Sequence, residues 1–185
     1  GEGRATRYSY DDAGRTTAQM QPAHLNPTTY AYDTAGNLRT VVDPLGHEQE
    51  YIYDERSRLT ESIDANGDST TFTYYPDNQR HTLTDADDNT TTWTYDNAGR
   101  VHTETNELGH TETYYYDEFN RLVEVEDRNG RIVQYEYDGR LLDKERWMDN
   151  GSPVRQINYD YRESPLAGTA GQINYVSDTG ADFGS

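Results

Sequence analysis

No cysteine occurs in this sequence, which excludes disulfides, thiolate metal sites and cysteine nucleophiles while leaving the redox compartment open. Aliphatic side chains are scarce: Leu, Ile, Val and Phe together number 26 of 185 residues. Beside a net charge of −18, that scarcity leaves too little apolar area to offset chain entropy and by itself predicts disorder. A basic surplus is missing as well. The 16 Lys and Arg are scattered among 34 Asp and Glu, so the clustered cations that phosphate binding needs are absent and nucleic acid is not an expected partner. No run approaches the roughly 18 apolar residues of a membrane helix, and no charged-then-apolar leader opens the chain, so membrane insertion is not expected. With Gly1 first and no initiator Met, the chain reads as a fragment or a processed product.

What the chain does have is tyrosine, 17 of them, each able to bury a large ring while keeping a hydroxyl in water. They recur. The second member of an aromatic-x-Tyr unit falls at Tyr10, Tyr32, Tyr53, Tyr74, Tyr95, Tyr116 and Tyr137, and Tyr159 closes the series with Ile157 as first member. The spacing is 21 or 22 residues throughout. An acidic residue follows in seven copies: Asp11, Asp33, Asp54, Asp96, Asp117, Asp138 and Asp160. In the fourth copy Tyr75-Pro76 intervenes before Asp77, which predicts a one-residue insertion in that turn.

Each copy alternates large and small side chains, as in Thr92-Trp93-Thr94-Tyr95, the period of a strand with one favoured face. An Asp-x-x-Gly-Arg turn comes next, with Gly14 and Arg15, Gly36, or Gly99 and Arg100. The Asp can accept backbone N–H groups two residues on, and Gly supplies a positive φ. The sixth copy ends in Arg121, and the seventh is shortened to Asp138-Gly139-Arg140. A second strand such as Leu122-Val123-Glu124-Val125 returns, and a second turn such as Asp43-Pro44-Leu45-Gly46 or Ala65-Asn66-Gly67-Asp68 closes the unit. The expectation is all-β: tandem antiparallel hairpins, eight copies over residues 1–161 giving about sixteen strands in a sheet that twists and curls. Residues 162–185 read as an irregular tail or a degenerate ninth repeat. A propeller with two copies per blade would show a stronger 42-residue period, whereas the matching turns at Leu45 and Leu108 lie an odd number of units apart.

Tyr-Asp-x-x-Gly-Arg at Tyr10 to Arg15 and Tyr95 to Arg100, with Asn for Gly at Tyr116 to Arg121, resembles the YD repeat of RHS-type proteins over residues 4–161. The resemblance implies a strip of sheet that spirals into a hollow shell, as in bacterial RHS toxins, the cocoon of insecticidal toxin complexes and teneurins. It also implies a secreted or bacterial cell-surface location and, as partners, further repeats of the shell and an enclosed toxin or other cargo. No residue here matches the self-cleaving aspartyl segment of complete relatives.

Candidate sites are weighed against structural roles. The tyrosines could stack on sugars in a carbohydrate- or cell-surface-binding module, but their repetition serves cross-strand packing equally in every copy. The post-Tyr aspartates read as turn caps rather than paired catalytic acids. Asp64 to Asp68 opens like a calcium loop, yet its twelfth position is Tyr75 where Glu is needed. Asp85 to Asn89 reads as a solvated turn. His24, His47, His81, His102 and His110 show no metal-ligand spacing. The post-turn arginines are expected to pair with the turn aspartates. No catalytic motif, cofactor pattern or metal set is found, so the expectation is a non-enzymatic scaffold whose edge strands could self-associate.

Overall fold

The computed structural model describes residues 5–22, 24–161 and 173–178. Among them lie sixteen strands and no helix, and the chain divides into two units, Gly1–Thr91 and Thr92–Ser185. The first holds β1 (Arg7–Tyr10), β2 (Thr16–Met20), β3 (Thr28–Tyr32), β4 (Leu38–Val42), β5 (Glu48–Tyr53), β6 (Leu59–Ile63), β7 (Ser69–Tyr74) and β8 (Arg80–Thr84). Most of β9 (Thr90–Tyr95) belongs to the second, with β10 (Val101–Thr105), β11 (Thr111–Tyr116), β12 (Leu122–Glu126), β13 (Ile132–Asp138), β14 (Leu141–Asp149), β15 (Ser152–Tyr161) and β16 (Ile173–Asp178). Within each unit strands follow in sheet order as they do in sequence, every pair antiparallel. The all-β tandem-hairpin fold expected from the 21-residue period is the fold found. Residues 162–172 and the segment 179–185, where the sequence suggests an irregular tail, lie outside the described residues.

One turn geometry recurs at both ends of the hairpins, although the two turn families differ in sequence. At the Tyr-Asp end, Asp96 N–H donates to the Arg100 carbonyl (2.9 Å) and Gly99 N–H to the Asp96 carbonyl (3.0 Å). At the opposite end, Asp64 N–H donates to the Asp68 carbonyl (2.9 Å) and Gly67 N–H to the Asp64 carbonyl (3.0 Å). Both are type I turns closed by a residue in the left-handed region, the usual three-residue hairpin loop. The Asp carboxylate caps each from inside: Asp96 Oδ1 accepts the N–H groups of Ala98 (2.9 Å) and Arg100 (3.0 Å). In the short seventh copy Tyr137 pairs with Leu142 and Asp138 with Leu141, leaving Gly139-Arg140 as a two-residue loop.

The fourth copy corrects the expected insertion. Tyr75 N–H donates to the Gln79 carbonyl and Asn78 N–H to the Tyr75 carbonyl, so this is the same five-residue turn with Tyr75 in the Asp position. Asn78 takes the left-handed slot at φ 75°. Pro76 falls at the second turn position, where its fixed φ is favoured, and Asp77 Oδ1, from the third position, accepts the Gln79 N–H at 3.2 Å in place of a first-position Asp.

A β-bulge sits at seven of the eight repeat tyrosines: the register shifts at Tyr10, Tyr32, Tyr53, Tyr74, Tyr116 and Tyr137, and beside Tyr95 at Val101 to Thr103, whereas in the eighth copy it falls between Asp160 and Tyr161. A bulge bends the strand and raises its local right-handed twist.

Among the described residues no side chain is fully buried. In β3 Tyr30 and Tyr32 are half-buried while Thr29 and Ala31 are exposed, as a sheet with one better-covered face requires. Within each unit the described residues build no second layer over the sheet, so stability there rests on neighbour-to-neighbour contacts between hairpins.

Candidate functional site

In four of the copies the repeated residues assemble into a clamp that ties a hairpin to the next. Its first part is the ion pair between the turn Asp and the Arg four residues on: Asp11–Arg15 at 2.7 Å, Asp54–Arg58 at 2.7 Å, Asp96–Arg100 at 2.6 Å and Asp117–Arg121 at 2.6 Å. The expected pairing is therefore made within the arginine's own turn. The second part was not legible in the sequence: each of these guanidinium groups lies on the ring of the following repeat's tyrosine. Arg15 is 4.5 Å from the Tyr32 centroid, Arg58 is 4.7 Å from Tyr74, Arg100 is 4.6 Å from Tyr116 and Arg121 is 4.6 Å from Tyr137. A flat, delocalised cation suits a ring face, and its free N–H groups remain to donate. Arg100 Nη1 donates to the Asp117 carbonyl and to Asn120 Oδ1, both at 3.0 Å, and Arg58 Nη1 to the Tyr75 carbonyl at 3.1 Å.

The third part returns from ring to preceding repeat. Tyr32 Oη donates to the Thr16 carbonyl (2.8 Å), Tyr74 Oη to Leu59 (2.7 Å) and Tyr137 Oη to Leu122 (2.7 Å), each acceptor being the residue just after the clamping arginine. Ring, hydroxyl, guanidinium and carboxylate thus form one chain of contacts across two hairpins. The signal available in the sequence was an Arg standing 16 or 17 residues before the next repeat Tyr, a separation that means nothing until the hairpin register is known.

Not every copy carries the clamp. Asn37 holds the arginine position in the second copy and bonds Asp33 Oδ2 through Nδ2 at 2.9 Å, so nothing cationic from that turn reaches Tyr53. Gln79 holds it in the fourth. Tyr10 is exposed at the sheet edge and stacks on Tyr8 with centroids 6.4 Å apart. Arg140 is exposed in the short loop with Asp138 and Gly139, and the side chain of Asp160 lies outside the described residues.

Electrostatics follow the geometry. Asp54 and Asp96 are held below the ordinary carboxylate value first by the side-chain hydrogen bonds of Arg58 and Arg100 and then by the backbone N–H of the same residues. Asp43 and Asp64 are lowered chiefly by the N–H groups of His47 and Asp68. Hydrogen bonding to the charged form accounts for all of these. Burial, followed by the charge of Glu112 on Tyr114 and a hydrogen bond with Glu145 on Tyr159, pushes those two phenols up to about 12. Asp64 and Asp85 spend Oδ1 on N–H groups of their own turns, and among the described residues no group of three or more His, Asp or Glu side chains is placed to hold a metal.

No curated protein matches the chain by sequence. The family model described as RHS Repeat matches residues 32–69 and 116–143. Among solved structures, the crystal structure of TcdB2-TccC3-Cdc42 superposes with a TM-score of 0.68 at 17% identity over 83% of this chain and 10% of that one. The crystal structure of TcdB2-TccC3 gives 0.67 at 18% identity, again over 83% and 10%. The Photorhabdus luminescens Tc holotoxin pore gives 0.50 at 14% identity over 96% and 14%. The chain therefore spans about a tenth of the length of those two crystallised chains, with which it shares the fold.

Proposed function

We propose that this chain is a stretch of wall in an RHS-type shell, a non-catalytic scaffold that helps to enclose a toxin or other cargo in an extracellular toxin complex. The observation that supports it most is the clamp in a sheet without a core. Chemistry that repeats in register and links only neighbours favours an extended surface over a cleft, and a surface with two open faces suits a boundary between cargo and solvent. The likeness to TcdB2-TccC3 points the same way at the level of fold. The twist set by each bulge is the device by which such a strip would wind into an enclosure.

Limited proteolysis of the full-length protein tests this. Cargo should survive a protease pulse while the wall is intact and be digested after Arg100→Ala and Arg121→Ala are combined. Equal digestion of cargo in both proteins would discard the enclosure reading. The exposed Tyr8–Tyr10 stack favours one alternative, a glycan-binding edge. Binding on a glycan array that vanishes with Tyr8→Ala plus Tyr10→Ala, at unchanged circular dichroism, would select it.

A further inference from the structure

The repeat breaks at one place in the second unit, and the break makes a notch. In the sixth copy Phe119 occupies the third turn position, where the first, second and fifth copies carry Ala13, Ala35 and Ala98. Its ring is 69% exposed. The seventh turn is only Gly139-Arg140, so the row of turns recedes beside Phe119. The resulting open cavity, about 750 Å³, is lined by Phe119, Arg121, Tyr137, Gly139 and Arg140. Arg121 forms its floor: its guanidinium lies over Tyr137 and 5.2 Å from the Phe119 ring, and Nη1 donates to the Gly139 carbonyl. With Asp117 also bound, Arg121 is fully engaged. Arg140 is not: among the described residues it has no ion-pair partner, in a chain whose net charge is −18.

An apolar ring, a ring-backed floor and one uncommitted guanidinium define complementary chemistry. We infer that the notch binds a protein turn that presents a leucine-sized side chain next to a carboxylate, the side chain on Phe119 and the carboxylate on Arg140. Charge selects the occupant: a basic turn would meet Arg140 and Arg121 together, and an apolar turn would leave Arg140 without a partner. Turns of this chemistry exist. This chain displays one at Asn106-Glu107-Leu108-Gly109, with Leu108 70% exposed. Phe119 meets the clamp through the Arg121 guanidinium, 5.2 Å from its ring, and Arg140 lies outside it.

The test is a titration of the ¹⁵N-labelled chain with the peptide acetyl-Asn-Glu-Leu-Gly-His-amide, followed by amide shifts. Saturable changes are expected at residues 119, 121, 139 and 140, with binding weakened roughly tenfold by Lys for Glu or Ala for Leu in the peptide. Phe119→Ala and Arg140→Ala should each weaken it similarly, with shifts elsewhere in the spectrum unmoved, which shows that the fold is kept. No saturable change at these four residues, or equal binding of the Lys peptide, would overturn the inference.

Discussion

At the residue scale the left-handed turn position is the most constrained. Among the described residues seven glycines hold it at positive φ, and the same slot is filled elsewhere by Ser57, Asn78, Asp88 and Asn120, small polar residues that tolerate that region. A β-branched residue does not. Gly99, at φ 80°, is therefore expected to lose about 1–2 kcal/mol on replacement by Val, whereas Asn97→Ala and Gly99→Asn should cost a few tenths at most. Thermal melts of the three variants check the ranking, and equal losses for Gly99→Val and Asn97→Ala would show the φ assignment to be wrong. This much was readable from the Asp-x-x-Gly spacing. That Tyr75-Pro76-Asp77-Asn78 builds the same turn was not, because backbone hydrogen bonds and the proline at its second position compensate for the missing Asp, and a search for Asp reads the copy as longer than it is.

At the scale of the hairpin the clamp strengthens the four junctions that carry it. Arg100 gives up a ring contact, an ion pair and bonds to two groups of the next turn when it is lost. Its side chain is 25% exposed, so solvent screens part of this, and Arg100→Ala should cost about 1–2 kcal/mol. Arg100→Lys should recover less than half, since an ammonium cannot cover the ring and bridge to the next turn together. The converse change is informative: Asn37→Arg places a guanidinium within reach of Tyr53 and should add about 0.5 kcal/mol. Urea melts decide both, and a neutral Arg100→Ala would mean that the clamp is ornamental. Cross-strand packing was the role expected of the tyrosines, and between facing strands the aromatics meet other residue types. Trp93 pairs across the strand with Glu104, donating Nε1–H to its carboxylate at 3.0 Å, while Phe72 pairs with Leu83 and Tyr114 with Val125.

At the scale of the molecule, acid and edges matter most. Nine turn aspartates, Asp11, Asp33, Asp43, Asp54, Asp64, Asp85, Asp96, Asp117 and Asp127, are held below the ordinary value of 3.8. The unfolded chain takes up protons first as pH falls, so their stabilisation is complete above the unfolded value and drains away as pH drops through the lower folded values. The β-sheet circular dichroism signal should hold from neutrality to about pH 5 and fail below about pH 4. A midpoint near pH 6 would show that these carboxylates do not set the acid limit. Edges act in the other direction: β1 pairs only with β2 and β16 only with β15 among the described residues, so each offers a row of unpaired backbone groups. Sedimentation velocity should show concentration-dependent association that survives Phe119→Ala; a monomer at every concentration would mean that the edges are protected.

The sequence by itself determined the repeat, the hairpin, the all-β class and the turn chemistry, because strand alternation and left-handed turn residues act within a few neighbours and are written in linear order. The tertiary structure alone decided which arginine lies on which tyrosine, where the bulges fall, and that a shortened turn opens a notch beside Phe119. Those facts depend on the stagger between adjacent hairpins, a quantity fixed only when residues 16 or 17 apart in the chain are brought side by side by backbone pairing.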